Sequence, residues 1–244
     1  MTSDDARARL EALGLDAEAT DVLFAHFADA ERRGKLGHGF SRIPWLEMQP
    51  FDRSARPLRR ESGDGIERWD GNGALGYLTL SAICDDVLAR GAGGAKLVVA
   101  SRCFPTGALG YWARRLATAG YVAVLTATSP RRLPPPSGGE PLTGTNPLAI
   151  AIPSGDGDPL VADVSMGAVT HGDVIAGRAR PEELVPFGGP LAHKAFALAV
   201  GLELFVSALA GPEHSAVLLV ASPEHDPVPA FRALAGGLRL PGDA

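Results

Sequence analysis

The stretch from residue 96 to residue 126 limits the fold more than any other. Lys96 to Ser101 (KLVVAS) is a buried-strand run, Gly107 to Ala119 reads as a helix, and Tyr121 to Thr126 (YVAVLT) is a second strand. Short loops join them, which predicts a parallel strand pair with a right-handed crossover. Further elements extend the alternation. Residues 3 to 33 predict two helices, the first capped by Ser3 and stopped by Gly14, the second ended by Gly34. Residues 45 to 69, with Pro50 and Pro57, read as irregular surface chain, and a helix carrying Leu80, Ile83 and Val87 on one face follows. Pro130 to Gly139 is a stiff loop. Leu148 to Ile152 and Leu160 to Val164 flank a hairpin turn, Leu191 to Ala210 is a long apolar helix, and Ala216 to Ala221 and Val228 to Leu238 close the chain as strand and helix. The class is α/β, with an N-terminal helical segment and substrate-side loop over 1–69 and an α/β core over 70–244, packed as a single unit.

Charge and composition exclude several functions. A net charge of −5 leaves no basic face for general nucleic-acid binding. Cys84 and Cys103 are too few and too far apart for a disulfide framework or a zinc site. The acidic start Met1-Thr2-Ser3-Asp4-Asp5 lacks the basic lead of a signal peptide, and no uninterrupted apolar stretch approaches the ~18 residues of a membrane span. The expected setting is the cytoplasm, without membrane, nucleic acid or metal.

One motif is a decoy. Gly71-Asn72-Gly73-Ala74-Leu75-Gly76 satisfies the dinucleotide pattern G-x-G-x-x-G, but Gly65 to Asp70 before it is a poor buried strand. A turn and helix start is the better reading. His38, set between Gly37 and Gly39 with Arg42 four residues on, is more chemically pointed. An imidazole trades a proton near neutral pH, and a guanidinium fork fixes a carboxylate in a plane. Together they suit a 2-oxo or 2-hydroxy acid.

Gly34 to Pro44 (GKLGHGFSRIP) and Gly144-Thr145-Asn146-Pro147 resemble two signatures of the malate/L-lactate dehydrogenase-like family, NAD(P)-dependent oxidoreductases on a non-Rossmann α/β fold. Asp163 in ADVSMG, the Pro-x-Gly-Gly of residues 186–189, and Lys194 within His193-Lys194-Ala195-Phe196-Ala197-Leu198 resemble further landmarks. The resemblance implies a mixed sheet flanked by helices and a homodimer. His38 and Arg42 would serve catalysis with Lys194, and His38, Arg42 and Thr106 would meet the substrate. Gly144, Thr145, Asn146, Asp163 and Lys194 would frame NADH or NADPH. Departures are equally specific. Gly37 stands where relatives carry Ser, and Pro105 stands at the family's catalytic His, with Cys103 the nearest alternative. Gly167 and Asp173 replace a Ser and a Lys, Ala195 a glycine, and the segment from Ile175 to Val185 is much shortened.

The implied function is reduction of a C=O or C=N next to a carboxylate, with His38 moving the proton and Arg42 holding the carboxylate. A cyclic imine suits the loss at Pro105, because an imine needs less acid assistance than a ketone. The alternative is a family-derived enzyme without nicotinamide that cyclises, dehydrates or isomerises a carboxylate-bearing intermediate in biosynthesis. A third is a non-catalytic subunit that pairs with a complete paralogue.

Overall fold

The structure is a computed structural model that describes residues 1–60 and 65–243. Two helices open the chain, α1 (Ser3–Glu11) and α2 (Ala17–Arg32). Thr2, one residue earlier than expected, caps α1: its hydroxyl accepts the Asp5 N–H while the Asp5 carboxylate accepts the Thr2 N–H. Asp16 caps α2 by a single bond, its carboxylate accepting the Ala19 N–H at 2.8 Å. A short helix α3 (Ile43–Glu47) and strands β1 (Leu58–Arg60) and β2 (Glu67–Asp70) occupy chain expected to be irregular; residues 61–64 of that span lie outside the described residues.

The Gly65–Asp70 expectation is corrected, since most of it forms β2, parallel to β3 (Ala95–Ser101). Its polar residues hid it. Glu67 is half-buried with its side chain turned in, accepts the Trp69 indole N–H at 2.9 Å, and meets Lys96 at 3.3 Å, so ion pairing stands in for an apolar pattern. The glycines that follow serve packing. A Cβ on Gly71 would collide with the Arg102 carbonyl, and one on Gly76, the first residue of α4 (Gly76–Arg90), would lie 2.7 Å from the Pro105 carbonyl. They bring the 102–105 loop close, not a pyrophosphate.

Helix α5 (Leu109–Thr118) and strands β4 (Val122–Ala127), β5 (Leu148–Ile152), β6 (Leu160–Val164) and β7 (Ala216–Ala221) complete one seven-stranded mixed sheet, ordered β1-β2-β3-β7-β4-β5-β6. The expected adjacency of β3 and β4 is corrected here. The two are parallel but not neighbours, because β7 inserts antiparallel between them, Val98 opposite Leu218 and Leu125 opposite Leu218. The β5–β6 hairpin forms as expected, with Ile150 opposite Ala162.

Period-two alternation sorts the sheet's side chains. Val98, Ala100, Leu218 and Val220 join the main core with α4, α5 and the N-terminal helices, while Val99 and Val217 point to the other face and meet Val206 of α7 (Ala192–Ala210). That second face is thinly covered. Of α7 only Ala195, Ala199 and Val206 are buried, and Ile150 and Leu219 of the sheet stay exposed beside it. With the turn before it, residues 189–210 reach a mean hydropathy of 1.5, long and apolar enough to cross a membrane by length and composition. His193, Lys194 and Glu203 interrupt the run, which is why no unbroken apolar stretch marks it in the sequence. A five-residue helix α6 (His171–Ile175) and the closing α8 (Val228–Ala235), ended by Gly236 in the left-handed region, finish the molecule.

Candidate active site

The site gathers where β3 and β4 end, the crevice where open α/β sheets bind ligands. A cavity of about 450 Å³ lies there, walled by the 34–42 segment, the Phe104–Leu109 loop, the end of β4 with the loop to Arg132, Thr145, Asp163 and α6. Its volume falls within the usual range for small-molecule sites.

His38 and Arg42 both line it. The segment carrying them is a pair of tight single turns, Leu36–His38 and Phe40–Arg42. Glu31, from the end of α2, accepts the Phe40 N–H at 2.7 Å, and its carboxylate fills the space beside Gly39 where a side chain would sit. Gly37 is tight for the same reason: a Cβ there would collide with the Thr170 hydroxyl and lie 3.0 Å from the Asp173 carboxylate. The serine of relatives therefore has no room. Arg42 is 8% exposed, its guanidinium stacked 4.0 Å above the Trp45 ring with the Tyr77 hydroxyl alongside. Burial pulls the His38 imidazole down to about 4, with Arg42 and Lys35 adding to the shift and Asp163 and Asp173 opposing it.

The other expected residues divide. Thr106, Thr145 and Asp163 line the cavity. Asp163 accepts the Lys35 ammonium at 2.6 Å, and Thr145 is held by its N–H to the Ser129 hydroxyl at 3.2 Å and its carbonyl to the Met166 N–H at 2.8 Å. Asn146 does not line it. Fully buried, it donates through Nδ2 to the Ala199 carbonyl (2.9 Å) and to Glu203 (2.7 Å), and Glu203 also accepts the Gly144 N–H at 3.3 Å. Gly144 and Asn146 thus brace the Thr145 loop against α7. Lys194 is exposed at the start of α7 and lines neither this cavity nor its neighbour. Pro105 is in the wall, and Cys103 is buried with its thiol pushed up to about 12 by burial, so neither replaces an imidazole in proton transfer.

Among the lining residues that sequence reading did not assign to the site are Arg132, His171 and Arg178, with Asp173, which it noted only as standing where relatives carry a lysine. Arg178 pairs with Asp173 at 3.0 Å, and Thr170 donates to the same carboxylate at 2.6 Å. His171, at the start of α6, is drawn down to about 4 by burial and by Arg132 and Arg42. A charge just past a strand end, as at Arg132, was the one signal available.

A nicotinamide nucleotide fits the surroundings. A second, more open cavity of about 550 Å³ adjoins the first and shares Asp163, Ser165, Thr170, Asp173 and Arg178 with it. The Ser165 and Thr170 hydroxyls, the Asp163 carboxylate and the Phe187 ring suit ribose and base, while the Arg178 guanidinium in this lining is already paired with Asp173.

The chain matches the malate/L-lactate dehydrogenase family over residues 3–184. It is 33% identical over 192 residues to a (2R)-3-sulfolactate dehydrogenase (NADP(+)) of Chromohalobacter salexigens, covering 75% of this chain and 56% of that protein. It is 32% identical over 234 residues to a Delta(1)-pyrroline-2-carboxylate/Delta(1)-piperideine-2-carboxylate reductase of Pseudomonas syringae pv. tomato, covering 83% and 67%. The chain thus spans little more than half to two-thirds of these relatives. The crystal structure of delta1-piperideine-2-carboxylate reductase from the same pathovar superimposes with a TM-score of 0.85 at 26% identity, covering 99% of this chain and 89% of that one. A malate dehydrogenase of Entamoeba histolytica shares the fold at a TM-score of 0.79. On these matches the chain belongs to the malate/L-lactate dehydrogenase family.

Proposed function

We propose that the protein is an NAD(P)H-dependent reductase of a C=O or C=N group next to a carboxylate. The observation that carries this reading is the meeting of His38 and Arg42 with Thr145 and Asp163 in one cavity. Arg42, stacked and partly desolvated, holds the substrate carboxylate, and Thr106 and Thr145 offer hydroxyls beside it. His38 moves the proton to the developing alkoxide or amine. A bound nicotinamide supplies the hydride. Asp163 keeps Lys35 at the cavity wall, and the two adjoining cavities receive the nucleotide over Ser165 and Thr170. Lys194 lies away from both, so a cofactor role for it requires a second copy's α7 against the site.

The imine is the favoured substrate form. Pro105 has no proton to give, and His38 is uncharged at neutral pH, so a substrate that is protonated more readily than a ketone suits the site. The free, buried cysteines fit a reducing compartment such as the cytoplasm. A homodimer is part of the proposal, because the outer face of α7 is apolar and uncovered.

The experiment is a titration with NADH and with NADPH, followed by nicotinamide fluorescence, then turnover of Δ1-piperideine-2-carboxylate and pyruvate. Binding of one nucleotide below millimolar concentration, with turnover lost by at least about a hundredfold in His38→Ala, is the expected result. No fluorescence change at millimolar nucleotide sinks it. Turnover of a carboxylate intermediate without nicotinamide, abolished in H38A, would replace it with the non-redox reading.

A further inference from the structure

We propose that Arg132 forms a second anion-binding subsite in the cavity, so that the substrate carries another anionic group besides the carboxylate held by Arg42. The inference rests on the reading of Arg42 above and adds the substrate's charge and shape to it.

Charge balance within the cavity leads there. Four permanently cationic side chains line it: Lys35, Arg42, Arg132 and Arg178. Two carboxylates line it as well, and each is taken: Asp163 by Lys35 at 2.6 Å and Asp173 by Arg178 at 3.0 Å. Arg42 and Arg132 remain. Neither has a carboxylate partner among the described residues, and the Arg132 side chain has no hydrogen bond or ion pair there at all. This is notable in a chain whose net charge is −5 and whose arginines elsewhere find Asp or Glu repeatedly.

Arg132 is placed, not trailing. Its backbone N–H donates to the Thr143 carbonyl at 2.8 Å, and the next residue, Leu133, is fully buried and bridged to Thr143, in a loop stiffened by Pro134, Pro135 and Pro136. The side chain is half-buried, and desolvation together with Arg42 disfavours its charge. Two partly desolvated guanidinium groups that repel across one cavity are destabilising on their own. An anion on each removes both penalties, and a guanidinium grips carboxylate, sulfonate or phosphate oxygens through two parallel N–H bonds. His171, whose charge Arg132 disfavours, and Ser129, three residues before Arg132, also line the cavity and can add neutral hydrogen-bonding groups.

The test uses matched pairs of 2-oxo acids that differ in the distal charge: oxaloacetate against 2-oxobutanoate, and 2-oxoglutarate against 2-oxopentanoate. Reduction is followed with the nucleotide that binds, in the wild type, R132Q and R132K. In parallel, calorimetry titrates succinate and glutarate against butyrate and valerate without nucleotide. The wild type should favour at least one dianion by about tenfold or more, R132Q should erase that preference by costing the dianions about tenfold more than the monoanions, and R132K should fall between. Equal handling of the two series by the wild type overturns the proposal. So does an equal loss for both series in R132Q, or a loss of NADPH affinity alone, which would assign the guanidinium to a cofactor phosphate. If no 2-oxo acid turns over, the calorimetry decides alone. A dianion bound about tenfold more weakly by R132Q then upholds the subsite while the reductase reading fails, and no difference removes the subsite.

Discussion

His26 is fully buried, and its ring is ringed by other rings: Phe27, Tyr77, Tyr111 and Trp112 all lie within 5.5 Å between centroids. Nε2 accepts the Ala108 N–H at 3.0 Å, so the ring proton resides on Nδ1, and the contact fixes the loop that brings Thr106 to the cavity. Gly107, packed against the same ring at positive φ, leaves no space for a side chain. Burial holds the imidazole at about 3 against an ordinary 6.5, so the unfolded chain binds the extra proton first. Stability is then fully present above pH 6.5 and declines as pH falls toward 3. The slope amounts to about 1.5 kcal/mol between pH 6.5 and 5 from this one group. Urea unfolding at pH 7 and pH 5 should show that loss in the wild type and a smaller one in His26→Gln, which cannot take up the proton. His38 responds to the same physics with a different readout. Held at about 4, chiefly by burial, it is neutral at pH 7 and protonated only in acid. Under the proposed mechanism kcat/KM for reduction therefore rises as pH drops from 8 toward 5, whereas the reverse oxidation, which uses the neutral imidazole, stays level over that range and falls only as pH approaches 4. A reduction profile that falls over that range would take the proton-transfer role away from His38.

The turn of residues 36–38 and helix α6 are locked face to face by glycine. A Cβ on Gly172 would collide with the Gly37 carbonyl, and one on Gly37 with the Thr170 hydroxyl. Arg178 ties the two elements from outside, reaching Asp173 at 3.0 Å and the Ser41 hydroxyl at 3.3 Å. Gly37→Ser, which installs the relatives' residue, is accordingly expected to cost about 1–3 kcal/mol of stability through overpacking. It should also lower kcat/KM by about tenfold or more as His38 is displaced. Thermal melts and steady-state kinetics on the same preparation check both, and a G37S protein that is as stable and more active would mean that Thr170 and Asp173 yield easily. The expectations from sequence fared best where the signal was local. The boundaries of β3, α5, β4 and the β5–β6 hairpin were legible from apolar runs and turn residues. The insertion of β7 between β3 and β4 was not, because its pairing partners lie roughly 90 to 125 residues back and no local pattern records a neighbour. Strand β2 was hidden by Glu67, Arg68 and Asp70, whose burial is made tolerable by partners on other elements. In the site, His38, Arg42, Thr106, Thr145 and Asp163 sat in recognisable motifs. Arg132 and His171 sit in a proline-rich loop and a five-residue helix, where periodicity carries no information. Asn146 was legible as a motif residue, but its work as a brace to Glu203 depends on a helix 53 residues further on.

At the scale of the molecule the unexplained surface is α7. Ala197, Leu198, Gly201, Leu204, Phe205 and Ala208 recur at three- and four-residue spacing and all are exposed, with Leu204 64% and Leu198 51% accessible. Such a stripe is what a helix normally turns inward. Gly201 sharpens the point. A glycine in a helix interior costs about 1 kcal/mol relative to alanine, yet nothing within 4 Å of its missing Cβ explains it inside this chain. A second backbone pressed against that position would. The inner side of α7 is committed to its own sheet through Val206 and to the site loop through Glu203, so the helix cannot leave for a bilayer without breaking both. A second copy of the chain is therefore the occupant we expect. Light scattering on the purified protein should give twice the 25.3 kDa of one chain. Leu204→Glu with Phe205→Glu should return it to a single chain, because two charges on the stripe cannot be desolvated without partners. Gly201→Leu should weaken the dimer by blocking close approach while leaving the monomer folded, since the space around it is open. A wild type that scatters as one chain, or that leaves the aqueous phase only with detergent, would show that the stripe faces something other than its own copy. The dimer also bears on Lys194, which sits at the same exposed start of α7: only in an assembly that lays this helix against a neighbouring cavity does its ammonium come within reach of a nucleotide, so Lys194→Ala should weaken NADPH binding in the dimer and have no effect in the L204E/F205E monomer.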